Sequence, residues 1–337
     1  MQRRQALSVL GAGAVAYTAY RAFGTAGMAA RDVSWPPGLS APFTDARVFY
    51  TVSKNKLFDP TIDAATWSLE IGGLVGRPVS LTLADLQAMP QVEAAVTLAC
   101  ISNGVPAMAV GNARWTGVRM RDVLERAGGV DRTAVDLVWV SADNYTDSIP
   151  VAKALDPATL LAWGMNGEPL PQPHGGPVRA IVPGIYGMKN AKWLESIEII
   201  AGDHRGYWQR QGWSDTAPYM TLSRFDVPRA GDRVPAGRAL LLGGIAFAGD
   251  RGVSRVEVGL QAPEAPASTR LWMDADLQPG FGPAAWRLWT CPFTPTPGRW
   301  RLFVRATDGA GQVQPEARRG NFPDGAQGWH SVDVTAA

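Results

Sequence analysis

The residue with the clearest chemical potential in this sequence is Cys100, which stands where a strand pattern ends. The apolar run at residues 96–99 predicts a strand, and residues 101–104 break it into a loop. A strand end can present a thiol to a cleft, where the thiolate could ligate a metal or act as a nucleophile. Taken alone, Cys100 is better explained as a buried free thiol, a common fate of cysteine.

A second group of chemically useful residues lies between positions 165 and 194, in a segment dense in glycine and proline. It carries His174, Arg179, Lys189 and Lys192. Arginine presents a planar fork and lysine a point charge to a phosphate, while glycine lets backbone amides approach closely. The dense spacing predicts an anion-binding site, although solvated cations on a surface loop would explain any one of these residues.

The counts of cysteine and histidine limit the metal chemistry. Two cysteines and three histidines are too few for a structural zinc site or an iron–sulfur cluster, and no Cys-x-x-Cys-His haem motif occurs, so we expect no haem. A metal would therefore arrive inside a prosthetic group. Cys291 lies in a strand pattern and is expected to be buried. A disulfide between Cys291 and Cys100 would have to bridge two domains.

Length and charge restrict the fold and the partners. The chain has 337 residues, 46% of them apolar, which is enough for about two domains. The net charge is only +2, and no basic stripe is interleaved with aromatic residues. Nucleic acid is therefore a poor candidate partner.

The first thirty residues differ from the rest of the chain. Arg3 and Arg4 precede an apolar stretch at 6–20, and small residues at 28–30 resemble a cleavage region. This pattern predicts an export signal over residues 1–30, of the twin-arginine type, and a periplasmic or extracytoplasmic protein. The apolar stretch is shorter than the roughly 20 residues that span a bilayer, so a membrane anchor is the alternative. A Pro-rich linker follows at 31–44.

The sequence pattern over residues 45–215 predicts an α+β domain. Thr82 and Asp85 form a capping-box pattern at the start of a short helix. Apolar residues at helical spacing predict a second helix over 120–127, ended by the glycine pair that begins at Gly128. A third short helix is predicted to start at Asp156.

Residues 216–337 have a different pattern, in which helical periodicity gives way to short strands separated by glycine, proline and aspartate. Strand patterns stand at 240–245, 255–258 and 300–305, and Asp308 begins a turn. The sequence therefore predicts an all-β sandwich after the α+β domain.

Several of these segments together resemble the sulfite-oxidase family. The segments similar to its molybdopterin-binding domain are 96–103, 112–117, 148–150, 165–171, 174–179 and 192–194. The family's cysteine lies in a Cys-Ala-Gly-Asn setting, of which Cys100 and Asn103 keep the first and last residues. Segments 286–289, 313–315 and 329–330 are similar to the family's immunoglobulin-like dimerisation domain. The resemblance covers about residue 45 to the C-terminus and is strongest over 174–194.

The resemblance implies a molybdenum–molybdopterin cofactor with Cys100 as the thiolate ligand to the metal. The residues that would hold the pterin and its phosphate are Asn55, Asp143, His174, Arg179, Lys189, Asn190 and Lys192. The residue types agree, because a soft thiolate suits such a metal and a phosphate requires cations and amides.

The resemblance also implies oxygen-atom transfer on a small-molecule substrate. Because the chain has no haem domain, electrons would be exchanged with an external carrier, a c-type cytochrome or a quinone-linked protein. A homodimer is expected on the same ground.

The sequence departs from the family on the substrate side. The family's arginine before an Asn-His pair is replaced by Lys54, and another falls at Val105. The tyrosine that follows the family's Trp-Gln-Arg segment falls at Trp213, and an arginine expected between Asn321 and His330 is missing. Loss of cations predicts a less anionic substrate than sulfite, because charged hydrogen bonds are what hold a dianion.

Lys54, Tyr145 and Trp213 are accordingly the candidate substrate-side residues beside Cys100. Tyr145 is equally well explained as a packed aromatic at a strand end. Three alternatives stay open: an S-oxide or N-oxide reductase on the same cofactor, a non-catalytic exported binding protein, and a hydrolase with Cys100 as nucleophile and His174 as base.

Overall fold

The computed structural model describes residues 37–55 and 59–337. The predicted export signal and residues 31–36 of the predicted linker therefore lie outside the described residues. Within these ranges, no helix has both the length and the apolar character needed to cross a bilayer.

Short strands and very short helices make up the first half. Its strands are β1 (Ser68–Gly73), β2 (Val79–Thr82), β3 (Gln91–Ala99), β4 (Val110–Arg119), β5 (Asp136–Ser141), β6 (Thr146–Pro150), β7 (Leu160–Met165), β8 (Glu168–Pro169), β9 (Arg179–Ile181) and β10 (Leu194–Ile200). Its α-helices are α1 (Leu83–Gln87), α2 (Met120–Arg126) and α3 (Val151–Ala154), and its 3-10 turns are Gln172–His174, Gly187–Lys189 and Gln209–Gln211.

The second half consists of strands and one 3-10 turn, Ala267–Thr269. Its strands are β11 (Leu222–Val227), β12 (Arg233–Val234), β13 (Leu240–Phe247), β14 (Val253–Gln261), β15 (Leu271–Asp274), β16 (Asp276–Leu277), β17 (Arg287–Phe293), β18 (Gly298–Asp308) and β19 (His330–Ala336). The change from α+β to all-β character follows the sequence pattern.

Local sequence signals account for the first two helices. Thr82 caps α1, with its hydroxyl accepting from the Asp85 amide while the Asp85 carboxylate accepts from the Thr82 amide, so the predicted capping box is confirmed. α2 buries Met120, Val123 and Leu124. Gly128, with φ of 85°, follows its end as predicted.

The predicted helix starting at Asp156 is wrong. The helix of this region is α3, which begins earlier, directly after Pro150. The Asp156 carboxylate accepts from the Ala158 amide at 2.9 Å, and the Thr159 amide donates to the Asp156 carbonyl at 2.9 Å. These bonds close a turn, and β7 starts at Leu160, so no length is left for a helix.

Two sheets build the first half. One has the strand order β2-β1-β10-β5-β6, and the other has β3-β4-β7-β8 with β9 paired to β7. A core that includes Leu69, Met120, Trp139 and Leu161 joins them. β3 runs antiparallel to β4 from Gln91–Val118 to Ala99–Val110, so its last residue lies at the edge of the paired region. This register determines the point at which the chain leaves the sheet, which is at Cys100.

The second half also contains two sheets, with orders β11-β13-β17-β16 and β12-β19-β18-β14-β15. Val258 and Leu302 from one sheet and Trp289 and Cys291 from the other belong to a single buried core. Cys291 is fully buried, as predicted, and burial raises the pKa of its thiol to about 11. Both cysteines are free thiols, so the disulfide considered from the sequence does not form.

One buried histidine ties two strands of this half together and makes stability depend on pH. The Phe225 amide donates to Nδ1 of His330 at 3.1 Å, which requires a neutral ring with its proton on Nε2. Burial, aided by Arg318 and Arg224, lowers the pKa of His330 to about 4. The unfolded chain therefore binds the proton more tightly than the folded one between about pH 6.5 and 4.

Stability from His330 is therefore present above pH 6.5 and lost as the pH falls toward 4. Between pH 7 and pH 5 the free energy of unfolding is expected to drop by about 2 kcal/mol relative to a His330→Asn variant, whose amide oxygen can accept the same bond without titrating. Urea unfolding of both proteins at the two pH values measures this difference. Equal losses in the two proteins would contradict the assignment.

Candidate active site

A single deep cleft collects most of the chemically useful residues of the first half. It holds about 930 Å³ of space free of protein atoms, open solvent included. Its walls come from the segment before β1, the end of β3, the loop after β5, the residues around β9 and the segment that follows β10. The lining residues are Phe49, Tyr50, Thr51, Val52, Ser53, Lys54, Leu98, Cys100, Ile101, Ser102, Ser141, Asp143, Tyr145, Pro173, His174, Arg179, Gly187, Met188, Asn190, Ala191, Lys192, Trp193, Trp208 and Trp213.

Cys100 follows β3 directly and is partly exposed in this cleft. Its amide donates to the Ala109 carbonyl at 3.0 Å. The Asn103 side chain fastens the loop, donating to the carbonyls of Cys100 (3.0 Å) and Ala109 (2.9 Å) and accepting from the Ala109 amide (2.8 Å). The thiol is therefore held by a rigid loop rather than by packing.

Residues of the second half also fix this loop. The Ala99 amide donates to the Tyr219 hydroxyl at 3.1 Å, and the Asn321 side chain donates to the Ser102 carbonyl at 2.5 Å. The Ser102 hydroxyl lies 3.0 Å from Sγ of Cys100. The position of the thiol thus depends on residues more than a hundred positions away in sequence.

Arg179 is a buried cation whose bonds go to neutral groups. Its guanidinium donates to the carbonyls of His174 (2.7 Å) and Asn190 (2.9 Å) and stacks 5.1 Å from the Trp115 ring. Burial lowers its pKa to about 10. At neutral pH it stays charged, and it makes no ion pair with a described carboxylate.

Lys192 and Lys54 are two further cations whose hydrogen bonds go to neutral groups. Lys192 donates to the Ser53 hydroxyl and the Pro173 carbonyl, both at 3.1 Å, and its pKa is lowered to about 8, first by burial and then by Arg179. Lys54 donates to the Asp143 carbonyl at 2.6 Å. Neither forms an ion pair with a described carboxylate, so together with Arg179 they make the cleft attractive to an anion.

His174 closes one end of the cleft as a neutral imidazole. Its Nε2 lies 2.6 Å from the Ala46 carbonyl, which can only accept, so Nε2 carries the proton. The pKa of His174 is lowered, mainly because its ring is buried. Sγ of Cys100 has Ser102 rather than His174 as its hydrogen-bond partner. The Cys–His pair that a hydrolase needs is therefore not formed.

Lys189 and Asn55 are next to lining residues in sequence but do not themselves line the cleft. The Lys189 ammonium is buried and bound to Asp147 at 2.8 Å and to the Ser148 carbonyl at 2.9 Å. Asn55 is exposed. Asn190 does line the cleft, but its side chain bonds to backbone groups, accepting from the Val182 amide at 2.6 Å.

Tyr145 and Trp213 also line the cleft. The hydroxyl of Tyr145 is hydrogen-bonded, and the ring of Trp213 packs against another aromatic ring. The Tyr145 hydroxyl lies 2.9 Å from an Asp147 oxygen and 2.8 Å from the Met188 carbonyl. The Trp213 ring packs edge-on against Phe322 of the second half, with 5.2 Å between ring centroids. Val105, one of the positions where the sequence departs from the family, is not among the residues that line the cleft.

Sequence reasoning missed Tyr50 and Ser141. Tyr50 is stacked on Phe49, and its hydroxyl fills the space where a Cβ on Gly187 would stand, 2.6 Å from that position. Ser141 Oγ is buried and has no hydrogen-bond partner. Neither carries a sequence signal, because an aromatic pair and a strand-end serine are typical of ordinary core positions.

Comparison with known proteins identifies the family. The model of the oxidoreductase molybdopterin binding domain matches residues 56–208. The chain is 31% identical to the mitochondrial sulfite oxidase of Macaca fascicularis, over 86% of this chain and 61% of that protein. It is 32% identical to the sulfite oxidase of Gallus gallus, over 81% of this chain and 68% of that protein. The chain thus spans less than two thirds of the length of the mammalian relative.

Among solved structures, the sulfane dehydrogenase SoxCD of Paracoccus pantotrophus matches with a TM-score of 0.69 and 24% identity, covering 83% of this chain and 80% of that one. This likeness shows the fold alone. The sequence matches carry the assignment, and they agree with the resemblance that the residues around Cys100 and His174 first indicated. The chain belongs to the sulfite oxidase family of molybdopterin-dependent oxidoreductases.

Proposed function

We propose that this protein transfers an oxygen atom at a molybdenum cofactor held in the cleft, with Cys100 as the protein's ligand to the metal. The observation that carries the proposal is that Cys100, Arg179, Lys192 and Lys54 line one cleft, with no ion pair between these cations and a described carboxylate. A non-catalytic binding protein would have no use for such an arrangement.

The polar groups of the cleft fit a molybdopterin. A phosphate requires cations whose charge is not neutralised by carboxylates, which describes Arg179 and Lys192. The buried, unpartnered Ser141 hydroxyl would be satisfied by a polar ring system. A soft thiolate suits the metal. When bound, the cofactor supplies the oxygen-atom transfer and the two-electron chemistry.

The chain's own residues would bind and orient the cofactor. Arg179 and Lys192 would hold the phosphate. Because His174 donates its Nε2–H to the Ala46 carbonyl, its Nδ1 would be available to accept a hydrogen bond from the pterin. Asp143 lines the cleft, and its carboxylate accepts from the Tyr145 amide at 3.0 Å, which fixes it for a second contact with the ring.

We propose further that the substrate is less anionic than sulfite. Lys54 already donates to the Asp143 carbonyl, and Trp213 presents an aromatic edge with Phe322 where a hydroxyl is absent. A dianion leaving water needs several charged hydrogen bonds, each worth roughly 1.5–3 kcal/mol. In the oxidising direction water supplies the oxygen that the substrate gains. The reaction releases two protons, and its two electrons pass to the external carrier. In the reducing direction an S-oxide or N-oxide takes up two electrons from the external carrier and two protons, and releases its oxygen as water.

The remaining features of the proposed function concern the whole protein. We propose that residues 1–30 direct export, that residues 45–215 form the cofactor-binding domain, and that residues 216–337 form an immunoglobulin-like domain through which two copies associate. The two sheets around one core in the second half support that domain type. The electron carrier would be a c-type cytochrome or a quinone-linked protein. Sedimentation of the purified protein measures the association directly.

Elemental analysis and paired assays test the proposed function. Protein from a cofactor-competent host is expected to contain close to one molybdenum per chain. Sulfite with cytochrome c as acceptor is expected to turn over slowly, whereas Trp213→Tyr, which restores a hydroxyl, is expected to raise that rate. An S-oxide with a reduced dye donor tests the opposite direction. Absence of molybdenum would remove the basis of the proposal, and fast sulfite turnover by the unmodified protein would refute the changed pocket.

A further inference from the structure

The loop after Cys100 carries a hydroxyl that the family pattern lacks. Cys-Ala-Gly-Asn has glycine as its third residue, and this chain has Ser102 there. Oγ of Ser102 lies 3.0 Å from Sγ of Cys100, which is within hydrogen-bond distance for sulfur. Ser102 also lines the cleft.

The direction of this hydrogen bond follows from the state of the sulfur. A cysteine that ligates a metal is a thiolate without a proton, so it can only accept. The Ser102 hydroxyl is then the donor. A hydrogen bond to a metal-bound sulfur draws electron density from it and stabilises the reduced metal, as in other thiolate-ligated sites.

We propose that Ser102 is a positioning residue that donates a hydrogen bond to the Cys100 thiolate and thereby raises the reduction potential of the bound molybdenum. This inference rests on the proposed function, because it requires the metal to be held by Cys100. It assigns to Ser102 an effect on electron transfer rather than on substrate binding.

Hydrogen bonds to the Cys100 and Ser102 carbonyls fix the backbone that carries the Ser102 hydroxyl. Ser102 is exposed, and a free serine at the surface would exchange its bond to sulfur for water. Asn321 of the second half donates to the Ser102 carbonyl at 2.5 Å, and Asn103 donates to the Cys100 carbonyl at 3.0 Å. Because the backbone of this short segment is fixed, less conformational freedom is lost when the hydroxyl bonds to Sγ than in a free loop.

A set of variants separates the effect of the hydroxyl from that of the loop. Ser102→Ala removes the donor, Ser102→Thr keeps it, and Asn321→Ala leaves the hydroxyl but removes the bond that fixes its backbone. Thr51→Val is the matched control, since Thr51 lines the same cleft and Sγ of Cys100 bonds to the Ser102 hydroxyl rather than to that of Thr51. Each variant is purified with its cofactor, and its molybdenum content is measured first.

The readout is the midpoint potential of molybdenum, obtained by redox titration of its electron paramagnetic resonance signal. Ser102→Ala is expected to lower the equilibrium constant for two-electron reduction about tenfold, a shift of about 30 mV to lower potential. Asn321→Ala is expected to shift the potential partway in the same direction. Ser102→Thr and Thr51→Val are expected to keep the potential of the unmodified protein.

An unchanged potential in a fully loaded Ser102→Ala protein would overturn the inference while leaving the proposed function standing. Loss of molybdenum from that variant alone would also overturn it, because Ser102 would then act in retention of the metal. If the unmodified protein itself contains no molybdenum, the proposed function fails and the inference with it.

Discussion

Replacement of Cys100 by serine is expected to abolish turnover and to leave the fold intact. The side chain is partly exposed directly after β3 and, among the described residues, hydrogen-bonds to no side chain but Ser102, so a smaller oxygen atom disturbs little packing. A serine oxygen is a harder and far more basic ligand than a thiolate and is expected to be a poor substitute for it at a site built for sulfur. Because loss of an outer-shell partner costs 10–100-fold, loss of the ligand is expected to lower kcat by more than about 100-fold.

The measurements are steady-state turnover, molybdenum content and urea unfolding of the purified variant. Cys291→Ser is the matched control, since it makes the same atomic change in the buried core of the second half. There the new hydroxyl enters apolar surroundings and is expected to cost about 1–3 kcal/mol of stability, with molybdenum retained. A Cys100→Ser protein that keeps both its metal and its activity would exclude Cys100 as the ligand.

The second large effect is expected from Lys189, through stability. Lys189 and Asp147 form an ion pair at 2.8 Å with side chains that are 3% and 0% exposed. Burial raises the pKa of Asp147 and Lys189 opposes that rise, so the carboxylate depends on this cation for its charge. Lys189→Met leaves a buried carboxylate without its cation and is expected to lower the free energy of unfolding by about 3–5 kcal/mol.

Urea unfolding of Lys189→Met and of the double variant Asp147→Asn, Lys189→Met tests this interpretation, and the double variant is expected to recover part of the loss. Arg47→Met is the control, because the Arg47–Asp45 pair is exposed to solvent and its loss should leave the stability almost unchanged. The molybdenum content of Lys189→Met, measured beside its stability, tests the sequence prediction that Lys189 binds the cofactor. In that case the variant would keep its stability and lose molybdenum.

What could be predicted from the sequence was mainly local. The cap at Thr82 and the strand that ends before Cys100 are encoded by neighbouring residues, and the structure has them as predicted. The dense glycine and proline spacing indicated that His174, Arg179 and Lys192 lie together, and all of them line one cleft with Cys100. Their roles toward the cofactor are still predictions.

What could not be predicted depends on residues distant in sequence. Lys189 looks like its neighbours in composition, but Asp147, contributed by β6, draws it into a buried pair. Tyr219 and Asn321 contact the loop at Cys100 across sequence separations of 120 and 219 residues. No local pattern marks an aromatic or an amide for such a contact, because the partner is chosen by how the sheets pack.

The contacts of Tyr219 and Asn321 with the loop at Cys100 also set an order of events during synthesis. The chain is made from its N-terminus, so β3 and Cys100 leave the ribosome long before Asn321, which follows Ser102 by 219 residues. Until that residue emerges, the Ser102 carbonyl lacks one of its partners. The loop at Cys100 therefore gains its full set of contacts only after Asn321 has been made, and a nascent chain that stops before Asn321 would present a different site to the cofactor than the folded protein does.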